Sequence, residues 1–435
     1  MSFERFFSRA AAGMWESEIR RMGSLAAQVP DLISFAPGHP DPSTFPWDAI
    51  REAAETLLRG RDANVLQYGG TRGYRPLLES LTNVLTSRGI TSTLEERILT
   101  TGSQQALDLL GRVLLDPGDV VLVELPTYTG AITAFSNVQA LLVGVPQDED
   151  GVNLQALDET FQRQTSSGRR VKFLYVVPNF QNPTGLLISL QKRLALLEWA
   201  AQRDVLIVED DPYGALYFPD STTPEETRPI KADDVEGRVV YLGSFSKTLA
   251  PGFRVGWIVG SPRLTAKIEL AKQAADLCSG SLDQRLVHRA IAAGLLGTRV
   301  DELRLYYQAK RTVMRQALDA ELAGRLRWSP PRGGFFLWAT VPSGLDADQL
   351  LMRAIQERVN YVAGKAFFVD GSGADTLRLC FSQATDEQIV EGVRRLARAI
   401  KGEIERHRDG GDPGAGTTDT AGATSAVSGI SAPRG

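Results

Sequence analysis

The run Gly243-Ser244-Phe245-Ser246-Lys247-Thr248-Leu249-Ala250-Pro251-Gly252-Phe253-Arg254 sets a lysine among hydroxyls, with an arginine seven residues further on. Apolar stretches flank it, Val239 to Leu242 before and Val255 to Val259 after. A lysine attacks a carbonyl carbon only as the neutral amine, and desolvation or a nearby cation moves its pKa towards that form. Ser244, Ser246 and Arg254 suit a phosphate, the arginine by charge and fork geometry. A solvated loop lysine beside a surface arginine accounts for the same string, because lone Ser-x-x-Lys sequences are common.

Four other places carry residues of matching chemistry. Asp210, in Glu209-Asp210-Asp211-Pro212-Tyr213, follows the apolar run Val205 to Glu209. An acid at the carboxyl end of a parallel strand faces the crevice where α/β sheets bind ligands. There it can keep a pyridine nitrogen protonated, so that the ring draws electrons from a carbanion, while Tyr213 donates to a ring oxygen. Pro178-Asn179-Phe180-Gln181-Asn182-Pro183-Thr184-Gly185 closes another strand and aims the Asn182 amide at the same ring. Thr101-Gly102-Ser103-Gln104-Gln105 opens a helix, where free N–H groups of Ser103 and Gln104 suit a phosphate, and Tyr128 can stack on a planar ring. Arg378, inside the apolar Leu377-Arg378-Leu379, is costly to bury unless it meets an anion such as a substrate carboxylate. Each has an ordinary rival: a capping acid, a Pro-Gly turn, a Ser N-cap, a core aromatic, an internal salt bridge.

The elements that must position these residues follow from the pattern. Val120 to Glu124, Leu141 to Val145, Val171 to Val177, Val205 to Glu209, Val239 to Leu242 and Val255 to Val259 are β-branched runs that alternate with helical stretches such as Ser103 to Leu115 and Leu190 to Arg203. That alternation predicts an α/β core with a mostly parallel sheet. Helices are predicted next at Ser261 to Ala275, Leu282 to Leu296 and Val300 to Leu322, the last long enough to bridge two domains. Strands at Leu326 to Trp328, Phe335 to Ala339 and Leu377 to Phe381, with helices at Ala347 to Val359 and Asp386 to Lys401, predict a smaller α+β domain.

Composition narrows the functions further. The 435 residues carry a formal charge of −4 with acids and bases mixed, so no field holds nucleic acid or an anionic membrane. Neither a signal peptide nor a stretch apolar enough to span a bilayer is present, and Cys278 and Cys380 lack any paired spacing, which together predict a cytoplasmic protein. His39, His288 and His407 are scattered and give no metal-ligand spacing. From Arg408 to Gly435 the chain is almost entirely Gly, Ala, Ser, Thr, Asp and Pro, with almost nothing large enough to bury, and is read as a disordered tail.

These elements, in this order from Leu32 to Ala399, resemble the fold type I enzymes that use pyridoxal 5′-phosphate, specifically the class I/II aminotransferases. The resemblance implies a large domain with a mostly parallel seven-stranded sheet plus a smaller α+β domain. It divides the chain into an N-terminal arm and small-domain segment at 1–46, a cofactor-binding domain at 47–298, a C-terminal small domain at 299–407 and a tail at 408–435. Amino-acid and 2-oxo-acid substrates, exchanged in two half-reactions, follow from it. Carried over residue by residue, it implies a Schiff base on Lys247, which also moves the proton between substrate Cα and cofactor C4′. Asp210 meets the pyridinium nitrogen, Asn182 and Tyr213 the ring oxygen, and Tyr128 the ring face. Ser103, Gln104, Ser244, Ser246 and Arg254 surround the phosphate, and Arg378 grips the α-carboxylate. Tyr68, in Leu66-Gln67-Tyr68-Gly69, looks like the tyrosine that reaches the phosphate from a partner subunit, which implies a homodimer with shared sites.

Within the class, Ile33-Ser34-Phe35-Ala36-Pro37-Gly38-His39-Pro40 and Gly333-Gly334-Phe335-Phe336-Leu337-Trp338 look most like the 2-aminoadipate/kynurenine group. The aminotransferase domain of GntR-type regulators is similar too. Gly38 then lies near the substrate, and Arg20 matches an arginine that meets a side-chain carboxylate in some members. Close relatives tend to carry Gly-Gly-Leu where this chain has Pro37-Gly38-His39. Two alternatives share the fold: a lyase, racemase or synthase using the same cofactor, and a cofactor-sensing regulator, which needs a DNA-binding module larger than the segment before Ile33.

Overall fold

The computed structural model describes residues 3–14 and 29–408 of the chain. Arg20 lies outside the described residues, as does the predicted 408–435 tail apart from Arg408, which ends the helix Asp386–Arg408. The first strand, β1 (Ile33–Ser34), precedes the large domain. That domain is built on β2 (Arg97–Thr101), β3 (Val120–Leu125), β4 (Leu141–Asp148), β5 (Gly151–Val152), β6 (Val171–Val176), β7 (Leu206–Asp210), β8 (Val239–Ser244) and β9 (Val255–Val259). They form one sheet in the order β2-β9-β8-β7-β6-β3-β4-β5. The pairs from β4 through β3, β6 and β7 to β8 are parallel, whereas β9 runs antiparallel to both β8 and β2. The sheet has eight strands rather than the seven expected, because β4 turns back into the two-residue β5.

Near-continuous apolar runs make these strands because both faces of the sheet are covered. Successive side chains point to opposite faces. Val121, Val123, Phe173 and Tyr175 therefore join the core beneath the Gly102–Leu114 helix, while Val120, Leu122, Leu174 and Val176 join the one beneath Leu190–Arg203. Strand β2 is not among the runs that the pattern predicts. Only Ile98 and Leu99 of its five residues are aliphatic, and the buried Arg97 satisfies its guanidinium on Leu78 O, Thr82 and Ser92.

The smaller domain holds the antiparallel sheet β10 (Arg327–Trp328), β11 (Phe336–Thr340), β14 (Thr376–Cys380) and β13 (Val362–Ala363), in that spatial order. Strand β12 (Val359–Asn360) pairs in parallel with β1 and ties the N-terminal segment to this domain. The predicted helix Leu282 to Leu296 is broken: one helix ends at Ala292, Gly294 takes a left-handed φ of 72°, and a 28-residue helix begins at Leu295. It runs unbroken across the expected boundary at 298/299. Near its start Arg299 donates to the carbonyls of Thr248 and Leu249, and further on Tyr307, Met314 and Leu318 sit in the small-domain core. One rigid element thus fixes the Lys247 turn relative to the small domain.

Candidate active site

Two buried ionisable side chains, Asp210 and Arg378, and a half-buried one, Lys247, meet where the carboxyl ends of β6, β7 and β8 face the small domain. Lys247 sits in the turn after β8, and its Nζ donates to the Gly38 carbonyl at 2.8 Å. The same Nζ lies 5.7 Å from the ring centroids of both Tyr213 and Phe335. Burial pushes its pKa down to about 8; Arg378 and Arg254 act in the same direction, against Cys380 and Asp210. The amine is held near the point where neutral and charged forms balance.

Asp210 is the last residue of β7, one position earlier relative to the strand end than predicted, and only 3% exposed. Its Oδ2 accepts from the Tyr175 hydroxyl at 2.9 Å, while its Oδ1 is buried with no hydrogen-bond partner. Burial pushes this carboxyl up to about 7. A bare buried acceptor of this kind is expensive unless a ligand donor fills it. Asp211 next to it turns to the other side, where Asn179, Gly214 N, Arg88 and Tyr241 occupy its two oxygens.

Arg378 on β14 is 1% exposed. One Nη donates to Asn182 Oδ1 at 2.6 Å, the other to the Ala36 carbonyl, and Nε has no partner. The guanidinium lies 4.4 Å over the Phe336 ring and makes no ion pair among the described residues, so the internal salt bridge is absent there. Because Arg378 occupies Asn182 Oδ1, the Asn182 amide is oriented with its N–H groups free to serve elsewhere. Gly38 has to be glycine: a Cβ there would lie 2.7 Å from Phe336 Cζ.

A second cluster lies at the first turn of the Gly102–Leu114 helix. Ser103 and Gln104 open it, and Gln104 donates to the Gly130 carbonyl at 3.0 Å. Arg254 takes a left-handed φ of 52°, which brings its guanidinium over Gly102. A Cβ on Gly102 would stand 2.4 Å from that guanidinium, and Gly102 itself has a φ of +72°. Arg254 makes no ion pair among the described residues; its nitrogens reach only the carbonyls of Pro251 and Thr101. Ser244 Oγ bonds Ser246 Oγ at 2.8 Å and accepts from the Ser246 N–H, so the two hydroxyls face one point. Helix N-terminal N–H groups, hydroxyls and an unpaired arginine together make an anion site.

Of the predicted residues, Lys247, Asp210, Tyr213, Asn182, Arg378 and Gly38 meet in one crevice. Tyr128 begins the Thr129–Asn137 helix beside Gln104 and Gly130. Tyr68 does not join them: it stands 78% exposed on the surface of its own chain. Sequence reasoning missed Tyr175, Phe335, Phe336 and Cys380. Tyr175 carried a signal, being the polar-tipped residue in an apolar strand, whereas the two phenylalanines read simply as core. His39 reads in the sequence as an isolated histidine, yet burial and the charges of Lys247 and Arg378 lower its pKa. Among the described residues no group of His, Cys, Asp or Glu could hold a metal, and no helix is long and apolar enough to cross a membrane.

The bare Asp210 oxygen, the unpaired Arg378 and the anion site fit a phosphorylated pyridine bound beside an amino acid. The family model for aminotransferase class I and II matches residues 30–396. The aromatic-amino-acid aminotransferase 1 of Thermococcus litoralis is 42% identical over 93% of this chain and 96% of its own length. The kynurenine aminotransferase of Pyrococcus horikoshii superposes with a TM-score of 0.88 at 43% identity, covering 93% of this chain and 98% of that one. The α-aminoadipate aminotransferase of Thermus thermophilus, solved with N-(5′-phosphopyridoxyl)-L-leucine, gives 0.84 at 40% identity, over 93% and 100% of the two chains.

Proposed function

The chain belongs to the class I and II aminotransferases and works with pyridoxal 5′-phosphate, and we propose that it carries the amino group of an L-amino acid to 2-oxoglutarate or a similar 2-oxo acid in two half-reactions served by one lysine. When bound, the cofactor supplies an aldehyde carbon that takes up the amino group and a ring that withdraws electrons from the substrate Cα. Lys247 would hold the cofactor through that aldehyde carbon, and its amine, once free, would carry the proton taken from the substrate Cα. Asp210 Oδ1 would accept from the ring N–H, Asn182 and Tyr213 would donate to the ring oxygen, and Tyr128 would lie against the ring. Ser103, Gln104, Ser244, Ser246 and Arg254 hold the phosphate. Arg378 takes the substrate α-carboxylate, with Gly38 leaving room beside it.

One observation supports this assignment above the rest: the buried Asp210 and Arg378 and the half-buried Lys247 line one crevice, and none has an ionic partner among the described residues. Internal pairing would satisfy such groups in a merely structural site. The names of the relatives point to aromatic amino acids, kynurenine and 2-aminoadipate as donors to try first. We further propose a cytoplasmic homodimer in which Tyr68 reaches the partner's phosphate site. Its 78% exposure supports this, as do the exposed Phe3, Phe6, Phe7 and Trp47, large apolar side chains on the surface of a single chain.

The test is a donor panel with 2-oxoglutarate on purified protein. The visible band of the lysine-bound cofactor should bleach with at least one donor and return with the oxo acid, and Lys247→Ala should show no such band. A Lys247→Ala protein that turns over like the wild type ends the assignment. Pyruvate and ammonia released from a β-substituted donor without any oxo acid would instead favour the lyase.

A further inference from the structure

We propose that Tyr175 is a positioning residue for the ring-nitrogen partner: its hydroxyl holds one oxygen of Asp210 so that the other stays bare and aimed at the ring nitrogen. This rests on the reading of Asp210 given above and extends it to a residue on the neighbouring strand. Strands β6 and β7 run parallel with Tyr175 opposite Val208, and both side chains lie on the same face of the sheet. Asp210, two residues beyond Val208, is therefore within reach of a long side chain from position 175 and of nothing shorter. The hydroxyl reaches Oδ2 at 2.9 Å, and both residues are buried.

Two properties suit tyrosine to this task. Its ring is clamped edge-on against Phe135, with centroids 5.8 Å apart, so the hydroxyl has a fixed direction. It is also a neutral donor. An arginine or lysine at this place would saturate Asp210 as an ion pair, as Arg88 does for Asp211, and would compete with the ring N–H. A phenol favours the charged carboxylate without cancelling its charge.

The other groups facing this pair come from every element around it. Asp211, next in the chain, opposes the charge on Asp210, and Lys247 in the turn after β8 favours it. Glu124 of β3 and Tyr128 beyond that strand face Tyr175, whose burial keeps its hydroxyl protonated well above neutrality. Tyr213 faces Asp210 from the far side of the crevice. The Asp210 carboxylate is thus left with one oxygen held by Tyr175 and one bare.

The experiment uses apoenzyme reloaded with pyridoxal 5′-phosphate carrying 15N at the ring nitrogen. In the wild type the 15N resonance should report a protonated nitrogen throughout the range where the protein is stable. Tyr175→Phe keeps the ring packing and removes the donor. Its ring nitrogen should lose the proton at lower pH than in the wild type, and the dissociation constant of the cofactor, from equilibrium titration of apoenzyme, should rise about tenfold. Phe135→Leu, which loosens the clamp on the ring but keeps the hydroxyl, should move the nitrogen titration in the same direction but by clearly less than Tyr175→Phe. A wild-type titration in Tyr175→Phe, or an equal shift in Phe135→Leu, overturns the inference about Tyr175. Asp210→Asn separates the two layers: if it too leaves the nitrogen protonated as in the wild type, the reading of Asp210 itself fails.

Discussion

Asp210 and Asp211 are adjacent, both acidic and both buried, yet they belong to different parts of the molecule. Asp211 anchors a lattice behind the crevice. Its oxygens accept from Asn179, Gly214 N, Arg88 and Tyr241, and Asn179 in turn accepts from Arg193, which also donates to the carbonyls of Ile188 and Pro178. Every charge there has its partners inside the chain. In the crevice, Asp210 keeps one bare oxygen and Arg378 one bare nitrogen, and neither has an opposite charge beside it. A saturated buried charge holds the fold together; an unsaturated one waits for a ligand. The lattice grips the strand ends and the loop that carry Asp210, Tyr213 and Asn182, so the crevice stays open without collapsing onto its own charges.

The largest effect that sharpens this contrast should come from the lattice. Arg88→Leu strands Asp211 with its charge uncompensated and should lower unfolding free energy by about 3–5 kcal/mol, read by chemical denaturation. Stability unchanged in that variant would erase the distinction. Arg378→Leu should do the opposite: kcat/KM for any donor should fall by about ten- to a hundredfold, from the loss of charge-assisted hydrogen bonds to the carboxylate. Its melting temperature should move far less than that of the Arg88 variant, because no ion pair is broken.

The crevice should also respond to pH. With Lys247 at about 8, the neutral amine is the major form above that pH and falls about tenfold per unit below it. The second-order rate of cofactor capture by apoenzyme should therefore climb with pH and level off above about 8. A rate that keeps climbing towards the ordinary lysine value of 10.5 would place Lys247 in water. The smallest expected effect is at the phosphate end. Ser246→Ala removes one neutral hydroxyl and should weaken cofactor binding by about 1 kcal/mol, roughly fivefold, by equilibrium titration.

Much of the site was legible because its residues sit on punctuation. Lys247, Asp210 and Asn182 each stand at or just past the carboxyl end of an apolar run, where a parallel sheet opens towards its ligand, and Ser103 opens a helix. Arg378 was legible for another reason, as a guanidinium in an apolar strand. Strands β1, β12 and β13 are two residues each, too short for any periodicity to register. Tyr175 and Asp211 escaped because their meaning depends on which neighbour each hydroxyl or carboxylate meets across the sheet, and that is set by register.

The sequence by itself determined the α/β alternation, the family and the side chains able to handle an amine, a ring nitrogen, a phosphate and a carboxylate, because local pattern and residue chemistry are properties of short segments. Only the tertiary structure decided which of two adjacent acids faces the crevice, that Arg378 is oriented by Asn182 rather than by an acid, and that desolvation brings the Lys247 pKa down to about 8. Those outcomes depend on burial and on partners brought from distant parts of the chain. Desolvation, which sets the protonation of each group, acts only once the chain has closed around it.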